Sequence, residues 1–331
     1  MTRTSTALLL IALAMQACSE PASAPPDPPA PEDAAADAAE DTGPPLGDRP
    51  VPPPTFLPVD DDRRVVAIGD VHGDIAAARA VLRLAGILGD GNTWVGGETV
   101  VVQVGDQLDR GDDEQAILEL FERLSDAAWE AGGGFYPLHG NHETMNVALD
   151  FRYVTTGGWA DFADQAEGVT DPEIMAHPEP ERGRVVAFRP GGPFARLLAG
   201  HNTVMVVGDT IFVHGGVVPS QLALGLENIN AEVQGWMRGE LPRPTLISSD
   251  DSVVWSRHFS RETDAMDCQL LDEVLTATSA SRMVVAHSVQ SDGINAECAG
   301  RVWRVDVGLA RHYGGSSEAL EIVGDTVRVL R

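Results

Sequence analysis

Three short apolar runs each lead into a glycine followed by polar side chains able to bind metal: RRVVAIGD reaches Asp70, ETVVVQVGD reaches Asp106, and GFYPLHGNHE reaches Asn141 and His142. The first two runs are rich in β-branched residues, which predicts strands buried on both faces. Between them IAAARAVLRLAGI repeats apolar residues at helical spacing, with Ala80, Leu84 and Ile87 on one predicted face. Between the second and third runs, DDEQAILELFERLSDAAWEAG opens on acids and closes on glycines, as a helix should. Strand, helix, strand, helix, strand with short links requires right-handed crossovers and a parallel core. Ligands of such sheets bind beyond the carboxyl ends of the strands, so the polar residues at 70, 106 and 141 are predicted to converge.

The downstream half reads differently. HNTVMVVGDTIFVHGG is two apolar runs around Gly208-Asp209, a hairpin signal, and EALEIVGDTVRVLR repeats the pattern around Gly324-Asp325. RMVVAHS and RVWRVDVG are further strands. The mixture predicts an α/β fold, a central two-sheet β-sandwich flanked by helices, with the first sheet more parallel and the second more antiparallel. Residues 155–200, rich in glycine, proline and acids, show no strand periodicity and read as a cap-like insertion over the site.

The folded domain is predicted over residues 63–331. Residues 1–18 carry Arg3, the apolar run ALLLIALAM and then QAC, the order of an export signal and too short a run for a membrane anchor. Cys18 at its end resembles a lipidated lipoprotein cysteine, although Met15 and Gln16 fit the usual motif poorly; a cleaved signal with a chance cysteine is the alternative. Residues 19–62 hold thirteen of the 22 prolines and eleven of the 50 acidic residues against Arg49 alone, which reads as a disordered spacer. These features predict an exported bacterial protein, periplasmic or held at the cell envelope as a lipoprotein, meeting a membrane only through that anchor. Cys268 and Cys298 then remain as an even pair in an oxidising compartment, either disulfide-bonded or as two buried thiols.

The formal net charge of −27 argues against nucleic acid as a partner, because phosphate binding with counterion release needs many cations. The sequence contains no lysine, which excludes Schiff-base chemistry and leaves arginine to grip any phosphate.

Asp70 and His72 in GDVHGD fall on one side of an extended chain, and the flanking glycines permit a tight turn beside an ion. Asp106, Asp109 and Arg110 in GDQLDRGD would, alone, read as an acidic helix entry. Asn141 and His142 alone would read as a turn asparagine and a satisfied histidine. His214 in FVHGG and His287 in VVAHS close two further apolar strands. Five strand ends offering Asp, His, Asp, Asn, His and His make the separate structural readings improbable together. Oxygen ligands mixed with imidazoles and no thiolate suit manganese, iron or zinc. Two such ions sharing a carboxylate form the usual clamp for in-line attack on phosphorus, so the residues read as a binuclear metallophosphoesterase.

The same motifs resemble the phosphoprotein phosphatases of the metal-dependent serine/threonine type, within the calcineurin-like metallophosphoesterases: Gly-Asp-x-His-Gly, Gly-Asp-x-x-Asp-Arg-Gly, Gly-Asn-His-Glu, His-Gly-Gly and a late histidine occur in order over residues 69–287. Leu108 replaces the family's valine, and His139 stands where eukaryotic members carry arginine. GNHETMN, VVWSR, RPGGPFARLLA and RVWRVDVGLARHYGG are similar to the bacterial Shewanella-like branch. The resemblance implies an αββα sandwich and two divalent or trivalent ions. Asp70 and His72 would hold the first, Asp106 would bridge both, and Asn141, His214 and His287 would complete the second. His142 would protonate the leaving group, oriented by Asp109, while Arg110 and Arg257 would bind the phosphate. Strand alternation, separately, predicts that His139 points away from Asn141 and is structural or supports the ligands from behind.

The function expected is phosphomonoester hydrolysis by a metal-bridging hydroxide, acting on phosphoserine, phosphothreonine or phosphotyrosine in proteins or on a small phosphoester. Nucleotide or dinucleoside-polyphosphate hydrolysis is the alternative within hydrolases. A non-catalytic metal-binding scaffold is the alternative outside them, and it sits poorly with the presence of Asp106, Asp109, Arg110 and His142.

Overall fold

A computed structural model of the chain describes residues 51–331. The predicted export signal, Cys18 and most of the predicted spacer lie outside the described residues.

Strand β1 (Phe56–Leu57) is followed by β2 (Val65–Ile68), helix α1 (Ile75–Leu84), β3 (Val100–Gln103), α2 (Glu114–Glu130), β4 (Gly134–Pro137) and the short α3 (Asn141–Val147). Four short helices come next, α4 (Thr156–Asp161), α5 (Pro172–Met175), α6 (Arg182–Phe188) and α7 (Pro193–Leu198). Then come β5 (Val204–Val207), β6 (Thr210–Val213), α8 (Pro219–Leu222), α9 (Leu226–Met237), α10 (Ala265–Thr278) and β7 (Arg282–Val285). The chain closes with β8 (Asn295–Glu297), β9 (Val302–Arg304), β10 (Ala319–Val323) and β11 (Thr326–Leu330).

The strands form two sheets, one ordered β11-β10-β2-β3-β4 and the other β1-β5-β6-β7-β9-β8. In the first, β2, β3 and β4 are parallel, as the sequence predicts, but the carboxyl-terminal hairpin β10-β11 adds antiparallel to β2. In the second, the β5-β6 and β8-β9 pairs are antiparallel while β1-β5, β6-β7 and β7-β9 are parallel. Both sheets are therefore mixed, and the second has more parallel pairs than antiparallel ones, which corrects the expectation of a more parallel first sheet and a more antiparallel second. Hairpins supply local antiparallel pairs, and helix-bearing crossovers such as the one through α8 to α10 supply parallel ones.

Side-chain alternation explains the layers. In β5 to β7, Met205, Val207, Phe212 and Val284 point into the core shared with the first sheet. Their neighbours Val204, Val206, Ile211, Met283 and Val285 face outward onto Val233 and Met237 of α9 and Leu271 and Val274 of α10. Both faces are apolar, so the strands read as continuous runs.

Two boundaries differ from the sequence reading. The domain begins inside the predicted spacer, because Phe56 and Leu57 pair in parallel with Val206 and Val207 and finish the edge of the second sheet. In α1 the buried stripe is Ala78, Val81 and Leu82, not the predicted Ala80 and Leu84, which are exposed. The helix starts on its Asp74 cap, which accepts from the Ala77 N–H, and ends before Gly86 in left-handed backbone, so the apolar spacing carried through to Ile87 spans a break. Cys268 on α10 and Cys298 are joined by a disulfide.

Candidate metal centre

The strand-end loops carry the site, and their backbone is forced into unusual shapes to do so. His72, Asp106, Asp109, Arg110 and His287 all have positive φ, between 42° and 69°. Such conformations cost of order 1–3 kcal/mol each for non-glycine residues and gather where the surroundings over-determine them. The surroundings here are specific. The Glu143 carboxylate accepts from the backbone N–H groups of Gly140 (2.7 Å), Asp106 (2.9 Å), Gln107 (2.8 Å) and Leu108 (3.2 Å), tying the loop after β3 to the start of α3. A Cβ on Gly140 would fall 2.1 Å from Asp106 Oδ1, so only glycine allows this approach.

Asp106 Oδ2 lies at the centre of the cluster. It is 3.2 Å from His214 Nε2, 3.7 Å from His72 Nε2 and 3.8 Å from His142 Nε2. Asp70 flanks it, with Oδ2 at 3.8 Å from His72 Nε2 and Oδ1 at 3.8 Å from His214 Nδ1. Asn141 Oδ1 lies 3.1 Å from His214 Nε2, and the His287 ring sits 5.0 Å from that of His214. Two sets of potential ligand atoms within 4.8 Å of one another share Asp106: His72, Asp106 and His142, and Asp106, His214 and His287.

Protonation tests whether cations fit. His72 Nδ1 meets the Leu108 carbonyl at 3.0 Å and His214 Nδ1 the Val104 carbonyl at 2.8 Å; a carbonyl only accepts, so both Nδ1 atoms donate and a neutral ring turns its Nε2 lone pair to the cluster. At His214, Asp106 outweighs burial and raises the ring's basicity, so without a cation Nε2 holds a proton between Asp106 Oδ2 and Asn141 Oδ1, a place that a metal ion would take. Asp70 Oδ1 and His287 Nε2 are buried with no hydrogen-bond partner. Burial pushes His72 down to about 4 and His287 to about 2, leaving both rings neutral, the form that ligates. At Asp106 burial opposes ionisation, but His214, His142 and His72 hold its carboxyl well below the usual range. Buried acceptors without donors, in a set of carboxylates, imidazoles and an amide, are what divalent or trivalent cations satisfy.

His142 differs from the other histidines. Its Nδ1 is 2.6 Å from Asp109 Oδ2, a charge-assisted contact. Burial lowers its basicity, but Asp106 and Asp109 outweigh that and raise it.

The cluster opens into a cleft of about 560 Å³ that includes Arg110, Arg257, Arg261 and Arg304 with Tyr153 and Tyr313. The Arg110 guanidinium stacks on Tyr153 at 4.1 Å, and its Nε is buried without a partner. Arg257 is half-buried, its Nη1 3.4 Å from the Trp255 carbonyl, and Trp255 packs edge-on to His287 at 5.6 Å rather than belonging only to the core. A larger cavity, about 700 Å³, lies elsewhere among Trp159, Ile174 and Met175, and has no part of the polar cluster.

All of Asp70, His72, Asp106, Asp109, Arg110, Asn141, His142, His214, Arg257 and His287 thus meet at one cleft or directly beneath it. His139 is turned away and buried, with Nδ1 3.0 Å from Thr203 Oγ1 and Nε2 2.7 Å from the Leu198 carbonyl. Of residues 155–200, expected as a cap-like insertion, none lines the cleft, and Arg184 meets Asp109 beneath it. Sequence reading passed over Asp306, buried after β9 beside Asp70, and Tyr153, Tyr313, Arg261 and Arg304. Asp306 did carry a signal, since RVWRVDVG is another strand ending in an acid.

A two-sheet α/β sandwich with carboxylates, imidazoles and an amide at its strand ends, facing arginines, defines a metal-dependent phosphoesterase. The calcineurin-like phosphoesterase family profile matches residues 63–287, and the chain belongs to that family and is a metallophosphatase enzyme. Among its relatives, Shewanella-like protein phosphatase 2 of Arabidopsis thaliana is 40% identical over 301 residues, covering 81% of this chain and 77% of that one. Shewanella-like protein phosphatase 1 of Plasmodium berghei is 26% identical over 76% of this chain and 69% of its own. The crystal structure of a cold-active protein-tyrosine phosphatase from a Shewanella species shares the fold, with a TM-score of 0.65 and 24% identity over 84% of this chain and 82% of that one.

Proposed function

We propose that the chain is a binuclear protein phosphatase, hydrolysing phosphoserine, phosphothreonine or phosphotyrosine esters. The observation that carries this reading is Asp106 Oδ2, set within 3.2–3.8 Å of three imidazoles at the floor of an arginine-lined cleft. Asp70, His72 and Asp106 would hold one ion, and Asp106, Asn141, His214 and His287 the other. Bound there, manganese, iron or zinc ions supply Lewis acidity that offsets phosphate charge and acidifies water.

The chain's own residues do the rest. Arg110, braced on Tyr153, and Arg257 face the phosphate oxygens from the cleft walls. His142 Nδ1 donates to Asp109, and in the imidazolium form, which Asp106 and Asp109 favour over burial, Nε2–H is directed at the cluster. As the oxygen of water bonds to phosphorus and the ester P–O bond breaks, His142 passes that proton to the departing alkoxide or phenoxide. The electron pair of the broken bond stays with the leaving oxygen, and the proton neutralises it. Tyr153, Trp255 and Tyr313 offer aromatic walls on which a phenyl ester can pack.

The amino-terminal segment adds a proposal of location: an exported, envelope-held enzyme, for which Cys18→Ser should release the protein from membranes. The catalytic reading is tested by assaying the metal-loaded protein on phosphoserine, phosphothreonine and phosphotyrosine peptides beside a dinucleoside tetraphosphate. Faster turnover of a phosphopeptide supports it; preference for the dinucleotide overturns it.

A further inference from the structure

Beneath the His142–Asp109 pair lies a buried cation. Arg184, on α6, is 0% exposed, and its guanidinium packs against the rings of both Phe162 and Phe188, 5.1 Å from each centroid. A guanidinium cannot be buried unpaired, and all five of its N–H donors are used. Nη2 donates to Asp109 Oδ1 at 3.1 Å and to Glu114 Oε1 at 2.9 Å. Nη1 donates to Glu114 Oε2 and, at 3.1 Å, to the Gly158 carbonyl. Nε donates to Asn146 Oδ1 at 2.7 Å. Asn146 Nδ2 donates in turn to Asp109 Oδ1 at 3.2 Å and to the His142 carbonyl at 2.9 Å.

One oxygen of Asp109 is therefore clamped by two donors, and its other oxygen faces His142 Nδ1. The Asp109 backbone N–H also donates to Glu114, which keeps the two carboxylates adjacent. Without a cation between them, their repulsion in a buried setting would turn Asp109 away or favour its protonation.

We infer that Arg184 is a positioning residue for leaving-group protonation: by clamping Asp109 Oδ1 and cancelling the Glu114 charge, it fixes Asp109 Oδ2 on His142 and so aims His142 Nε2. The inference rests on the acid role proposed above for His142. It also gives α6, with the Gly158 carbonyl of α4, a part in the chemistry, as a brace that reaches the reacting atoms through Asp109.

The test uses the full metal-loaded chain carrying Arg184→Lys, and the charge-balanced pair Glu114→Gln with Arg184→Met, which keeps the test open should the lysine variant not fold. Each is made in the native and the His142→Gln backgrounds and assayed on phenyl phosphate and p-nitrophenyl phosphate, with bound metal measured in every sample. The expected result is a loss in kcat of roughly tenfold to hundredfold on phenyl phosphate. On p-nitrophenyl phosphate, whose leaving group needs little protonation, the loss should be at most about threefold, with metal content unchanged. In the His142→Gln background the same substitutions should change kcat by less than about threefold, because they act through a residue already removed. Equal losses on both esters, losses that track metal content, or a full loss repeated without His142 would each overturn the positioning role. If instead His142→Gln alone loses equally on both esters, the acid role falls and the Arg184 role with it, an outcome distinguishable from failure of the Arg184 role alone.

Discussion

His142 Nδ1 stands 2.6 Å from Asp109 Oδ2, and His142 Nε2 stands 3.8 Å from Asp106 Oδ2, so one ring spans the orienting carboxylate and the centre of the cluster. Replacing the ring while sparing the cluster should separate proton transfer from ion binding. His142→Gln is expected to retain its metal and to lose about 10²–10⁴-fold in kcat on esters with poor leaving groups, the usual worth of general acid catalysis. Paired kinetics on phenyl and p-nitrophenyl phosphate check this; comparable losses on the two would argue against an acid at this position.

Glu143 is buried beneath the cleft, and its carboxylate serves four backbone N–H donors from two loops. Glu143→Ala would leave them buried and unpaired, at about 1–3 kcal/mol for each group not rescued by water. Urea unfolding should show a loss of at least about 2 kcal/mol, with activity falling because the loop bearing Asp106 loses its anchor. A variant of native stability and native activity would show that Glu143 does not hold the loop.

His139 makes the opposite case from only three residues before His142. Its two ring nitrogens are engaged by Thr203 and Leu198, away from the cleft. His139→Gln should lower stability by about 1–3 kcal/mol while kcat changes by less than about threefold. Thermal unfolding beside steady-state kinetics checks both halves, and a hundredfold drop in kcat at native stability would assign His139 to the chemistry.

Cys268 and Cys298 are 30 residues apart and link α10 to the turn before β9. Reduction, or Cys268→Ser with Cys298→Ser, should cost about 2–4 kcal/mol of stability through the unfolded chain and leave kcat nearly unchanged, since neither residue lines the cleft. Denaturant titration with and without reductant measures it; coincident curves would refute the contribution.

The cluster was legible in the sequence for a physical reason. Asp70, Asp106, Asn141, His214 and His287 each follow an apolar run, and parallel strands must deliver their ends to one edge. What escaped depends on distant packing. Two residues, Phe56 and Leu57, form an edge strand only because β5 offers an unpaired edge, and nothing in their proline-rich surroundings marks them. The β10-β11 hairpin is plain from Gly324-Asp325, but the choice of β2 as its neighbour is not local. Arg184 sits in a segment with little periodicity, and its value comes from Asp109, 75 residues earlier. Tyr153 and Tyr313 reach the cleft from loops whose course the sequence does not announce.

If two ions share the Asp106 carboxylate, as proposed, turnover needs both. The direct measurement is metal content by elemental analysis alongside phosphate release from a phosphopeptide, as stripped protein is titrated with manganese, for the native chain and for Asp106→Asn. Native activity should rise to a plateau at two equivalents of metal per chain, and Asp106→Asn should lose metal and activity together. Full activity at one equivalent, or an Asp106→Asn chain holding two ions with native turnover, would contradict it.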